Sequence, residues 1–111
     1  MEFKGTPGPW LRMNGTDVFT GLNSTNASGI KSDKTDGWQI ADCSVGKTFV
    51  DGEYVELGTS EQIANARLIA AAPELLEQLI WLRNKIAGYH PDDDDHLDVV
   101  DAAINKALGR E

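Results

Sequence analysis

The apolar pattern of this chain changes period once, at Thr59, and that change constrains the fold more than any other feature. Before it, short segments alternate apolar and polar residues between turn signals, as half-buried strands do. After it, apolar residues recur three and four positions apart, as on one face of a helix. This order predicts an α+β protein: an N-terminal antiparallel β-meander of four to five short strands packed against two or three C-terminal helices. At 111 residues the chain is read as one domain, with residues 1–58 the meander and 59–111 the helical part.

Within the meander, residues 9–13 and 17–22 flank Asn14-Gly15, a pair that tolerates positive φ and marks a turn. The stretch L-N-S-T-N-A-S-G is dense in turn formers and reads as a loop. Residues 30–32 are expected as a short strand and 38–45 as a longer one. Residues 48–50 and 54–57 would form a hairpin around Asp51-Gly52.

In the helical part, Thr59 followed by Gln62 is the spacing of a capping box, in which each side chain satisfies the other's backbone amide. Ile63, Ala66 and Ala70 share one face, and Leu75, Leu76, Leu79, Leu82 and Ile86 continue an apolar stripe. Pro73 interrupts this run. It is best placed as the first residue of a second helix, where a missing amide costs nothing; a kink within one long helix is the alternative. Gly88 is expected to end that helix. A last helix would start within the carboxylates of residues 92–95 and bury Leu97, Val100, Ile104 and Ala107 or Leu108 before Gly109.

Charge excludes one class of partner. The formal net charge is −8 and both halves are net acidic, so no basic stripe is available for duplex DNA or RNA. No apolar run approaches the roughly 20 residues of a membrane helix, and the first residues lack a signal peptide's pattern. The expected location is therefore the cytoplasm of the cell that makes it. Cys43 is the only cysteine, so no intramolecular disulfide forms.

No reaction is legible. Gly46-Lys47-Thr48 resembles the tail of a phosphate-binding loop, but Ala41 stands where that motif needs glycine and strand-forming residues follow instead of a helix. The run D-D-D-D-H at residues 92–96 lacks the alternating ligands, glycine and closing Glu of a calcium loop, and reads as a solvated helix start. His90 and His96 have no nucleophile nearby in sequence. Cys43 is read as a small core residue. Trp38 and Trp81 are read as packing residues. Trp10 carries more functional weight, because the P-G-P segment before it positions its indole through the backbone. No catalytic residue, metal or cofactor is expected.

Two stretches taken together carry a resemblance: K-G-T-P-G-P-W at residues 4–10 and I-A-N-A-R-L-I-A-A-A-P-E-L-L-E-Q-L at residues 63–79. They resemble a family of small proteins encoded by bacteriophages and prophages, which pair a G-P-W start with an N-A-R-L-I-A-A-A-P-E-L-L segment. The resemblance implies a phage origin and, in the host cytoplasm, a non-enzymatic accessory role. One such role is counter-defence by sequestering a cyclic nucleotide immune signal. The alternative is inhibition of a host or phage protein through the acidic helical surface. The candidate ligand residues are Trp10, Asn65 and Arg67. Asn65 and Arg67 do not share a helix face. Arg67 would serve either as an ion pair or hydrogen bond onto the sheet, or as a bidentate contact to phosphate or carboxylate. Apolar surface that one copy cannot cover points to a homodimer or higher homo-oligomer.

Overall fold

The computed structural model describes residues 3–89 and 94–110, with the backbone alone at 89 and 94–96. Among the described residues five short strands precede two helices. The chain divides into two compact units, one of residues Gly5–Ala72 and one of Met1–Lys4 with Pro73–Glu111. The first turns of the long helix thus belong with the strands.

In the first of these units, β1 (Trp10–Met13), β2 (Asp17–Thr20) and β3 (Gln39–Asp42) form an antiparallel sheet in that order. The β1–β2 connection runs through Asn14 and Gly15 at positive φ, as the Asn-Gly pair predicts. β4 (Lys47–Val50) and β5 (Glu53–Glu56) pair only with each other. Asp51 and Gly52, both at positive φ, make the two-residue turn between them. That is the type I′ turn whose twist suits two antiparallel strands.

The meander is therefore two sheets, of three and two strands. Asp42 supplies the physical reason. Its Oδ1 accepts the Ser44 amide at 3.0 Å, which turns the chain out of β3 before residue 45. Residues 30–32 do not form a strand either; one bridge joins Thr25 to Lys31. There the Asn26 Oδ1 accepts the amides of Ser28 and Ile30, an Asn-stabilised loop that competes with strand pairing. The long loop is strapped to the sheet by Trp38, whose indole Nε1 donates to the Ser24 carbonyl at 2.9 Å. Its amide donates to the buried Thr20 hydroxyl at 2.8 Å. Gly37 is required at that crossing, since a Cβ there would run into the Thr20 carbonyl oxygen.

Helix α1 is continuous over Thr59–Tyr89 with Pro73 inside it. The placement of Pro73 at the start of a second helix is thus corrected. Its missing N–H deprives only the Ile69 carbonyl of a bond. The Ala residues before it and Glu-Leu-Leu after it are strong helix formers that carry the helix across. The expected capping box is also absent as such. The Gln62 amide takes the Gly58 carbonyl at 3.0 Å, while its buried side chain donates to the Ser44 carbonyl at 3.2 Å. Gln62 thus fastens the helix to the loop after β3. Ala66 and Val18 are fully buried and mark the apolar centre of this unit.

In the second unit, α2 (Asp94–Leu108) buries Leu97, Ile104 and Leu108, the stripe expected from their spacing, with Val100 half-buried. It ends in a Schellman motif. Gly109 has φ +76°, its amide donates to Lys106 and the Arg110 amide donates to Asn105. The C-terminal half of α1 is joined to α2 by a fork between Arg83 and Asp101, with Nε to Oδ1 at 2.7 Å and a guanidinium NH₂ group to Oδ2 at 2.9 Å.

Candidate functional site

The three candidate residues fall within the first unit but in unlike settings. Trp10 opens β1 and is half-buried, with its indole Nε1 donating to the Thr6 carbonyl at 3.2 Å. That bond folds the T-P-G-P segment back over the tryptophan and fixes the ring from its own N-terminal side. The polar edge of the indole is thereby spent on structure. Asn65 and Arg67 both lie exposed on α1, two residues apart.

Arg67 stands apart from the arginines that structure engages. Arg83 is locked in its fork with Asp101, and Arg12 donates to the Gly15 carbonyl at 3.3 Å. Among the described residues, no side-chain hydrogen bond or ion pair engages Arg67 or Asn65. Among the described residues Arg67 makes no hydrogen bond or ion pair onto the sheet. Its neighbours Ile63, Ala70 and Ala71 are half-buried, so the arginine stem rises from a packed part of the helix while its guanidinium meets solvent. A planar, permanently charged fork in that position suits bidentate contact with phosphate or carboxylate. Trp10 lies on β1 and Asn65 and Arg67 lie on α1, so each is placed by its own element.

The segment that resembles the tail of a phosphate-binding loop lies at a hairpin. Gly46, Lys47 and Thr48 enter the β4–β5 hairpin, where the Gly46 carbonyl accepts the Leu57 amide at 2.8 Å. A Cβ on Gly46 would lie 2.8 Å from Leu57 Cδ1, so glycine here makes room for a side chain and not for a phosphate. Lys47 faces Glu56 at 3.9 Å with both side chains about half exposed. Cys43 is half-buried. Among the described residues no three His, Cys, Asp or Glu side chains are grouped to hold a metal ion. The acidic run at 92–95 and both histidines lie outside the residues whose side chains are described. No helix among the described residues is long and apolar enough to cross a membrane.

Three carboxylates are held below their ordinary range by hydrogen bonds to neighbouring groups. Asp101 is held below the usual carboxylate range, chiefly by the Arg83 hydrogen bonds. Asp33 is lowered by the Thr35 hydroxyl, and Asp42 by the Ser44 hydroxyl and amide. Each is a local turn or an inter-helix tie.

Comparison with known proteins then supplies the descent. A family model described as Salmonella phage P22 protein Y8K6 matches residues 1–111. The chain belongs to that family. It is a bacteriophage-family protein, as the G-P-W and N-A-R-L-I-A-A-A-P-E-L-L stretches imply. No curated protein matches the chain. No solved structure matches it.

The surface also holds exposed aromatic and apolar side chains. Phe49 and Tyr54 face each other across the β4–β5 hairpin, ring centres 5.3 Å apart and edge to face, and both are largely exposed. On α1, Leu75, Leu82 and Ile86 are exposed although the stripe that contains them reads as core. Helical spacing shows that such residues align. It does not show which arc of the helix another element covers.

Proposed function

We propose that this phage-family protein acts by binding and not by catalysis. In this reading it counters host defence by sequestering a cyclic, nucleotide-derived immune signal, and Arg67 contacts the phosphate. The observation that supports the reading is the state of Arg67: exposed, without a hydrogen-bond or ion-pair partner among the described residues, in a chain of net charge −8. An acidic protein has many carboxylates with which to pair a cation, and Arg83 is paired in that way. A guanidinium left to solvent keeps its five donors for a ligand. Asn65, two residues earlier, is exposed on another side of the helix and offers amide donors and a carbonyl acceptor there.

A second reading, inhibition of a host or phage protein through the acidic helical surface, draws on the exposed carboxylates Glu74 and Glu77 of α1 and Asp98 of α2. One experiment separates the readings. The protein is incubated with a mixture of cyclic di- and trinucleotides, washed, and denatured by heat. Intact nucleotide released from the native protein, and none from Arg67→Ala, is the expected result. Release of cleaved nucleotide would mean an enzyme. No retained nucleotide would sink the sequestration reading and leave the protein-binding one.

A further inference from the structure

We infer that two copies of this chain pair antiparallel through the C-terminal half of α1, along a seam of Leu75, Leu79, Leu82 and Ile86. The spacing of these residues is four, three, four, the rhythm by which one helix packs against another. α2 does not use this arc. Arg83, which grips Asp101 of α2, lies on an adjoining face with the half-buried Leu76, Ile80 and Ala87. At 100° per residue, that face is centred about a quarter-turn from the seam. Leu75, Leu82 and Ile86 consequently remain 53%, 48% and 36% exposed, and Leu79 is half-buried at the border. Contiguous leucines left in water at helix–helix spacing mark an association surface.

Charge identifies the occupant as a second copy and sets its direction. Glu74 and Lys85 are both exposed and flank the seam on the side away from α2, at its opposite ends. They are eleven residues apart, about 16 Å along the helix, too far to pair within one chain. Glu74 forms no ion pair among the described residues, and Lys85 rests over the Trp81 ring at 5.0 Å. An antiparallel two-fold pairs Leu75 with Ile86 and Leu79 with Leu82 of the other copy. Like flanks then meet, so Glu74 of each copy comes alongside Lys85 of the other, twice by symmetry. A parallel pair would bring this flank against the face that α2 already occupies.

The inference stands apart from the nucleotide reading and does not use Arg67. Its test is analytical ultracentrifugation of the full chain, with helix content followed by circular dichroism. The wild type is expected to be a dimer, and Leu82→Glu a monomer of unchanged helicity. Glu74→Lys replaces two attractions by repulsions and is expected to raise the dimer dissociation constant roughly tenfold. Glu74→Lys combined with Lys85→Glu should restore it. A monomeric wild type would overturn the inference. So would a Leu82→Glu dimer of native strength, or a Glu74→Lys protein that dimerises normally. The surface change at Glu74 keeps the test decisive if Leu82→Glu fails to fold.

Discussion

Arg83 of α1 and Asp101 of α2, eighteen residues apart, meet in a two-pronged fork with Nε to Oδ1 at 2.7 Å and a second NH₂ donor to Oδ2 at 2.9 Å. The arginine side chain is 27% and the aspartate 30% exposed, so the pair lies at the edge of the helix packing and not free in solvent. It ties the two helices in a way that apolar packing alone, which is tolerant of sliding, does not.

The fork makes this unit sensitive to acid. Asp101 has a folded-state value below its unfolded one because Arg83 favours the carboxylate. Its contribution is therefore present above the ordinary carboxylate range and is lost as pH falls through the depressed value. Thermal melts from neutral pH downward should show the wild type losing stability across that range. Asp101→Asn should start lower and change less with pH. Identical slopes for the two proteins would show that the fork carries no linked stability.

Gly37 is expected to resist every side chain. A Cβ would meet the Thr20 carbonyl, a backbone atom that cannot swing aside. Gly37→Ala should cost about 2 kcal/mol of unfolding free energy, in the range for forced overpacking. Urea denaturation reads it. An unchanged midpoint would mean that the loop crossing shifts freely.

Gln62 is predicted to matter through its side chain at long range. Gln62→Ala removes the donor to the Ser44 carbonyl and should cost on the order of 1 kcal/mol. If the capping-box role applied instead, Thr59→Ala would cost as much. The fold predicts the larger loss at Gln62, and equilibrium unfolding of both variants decides between them.

Arg67→Ala should leave the melting temperature nearly unchanged, because no side-chain hydrogen bond or ion pair among the described residues is removed. Exposed changes of this kind stay within about 0.5 kcal/mol. A large destabilisation would return Arg67 to a structural role and withdraw it as a ligand contact.

At Gly52, φ of +87° in a two-residue hairpin turn disfavours any side chain, while the space around it is open. Gly52→Val should therefore loosen β4–β5 through backbone strain alone, by about 1 to 2 kcal/mol. Amide exchange of Thr48 and Val55 would report it. Unaltered protection would show that the hairpin is held by something other than its turn.

Much of the architecture was legible because its causes are local. The turns at Asn14-Gly15 and Asp51-Gly52 follow from residues that accept positive φ, and the buried stripe of α2 from spacing along one helix. Pro73 was misleading for the opposite reason. A local rule starts a helix there, but helix formers on both sides outweigh one lost bond. The candidate site was half legible. That Arg67 lies on a helix follows from the pattern around it. That it lacks a partner, while Arg83 has one, does not.

By itself, then, the sequence determined the switch from strands to helices, the hairpin turns and the phage-family descent, all set by neighbours in the chain or by the order of residues. Only the tertiary structure decided that Gln62 reaches Ser44, that Arg83 grips Asp101, and that Leu75 and Leu82 face water beside it. The physical reason is separation. Both of those bonds join residues eighteen positions apart. A periodic stripe says which side chains line up, while the elements that fold against it decide which of them are covered.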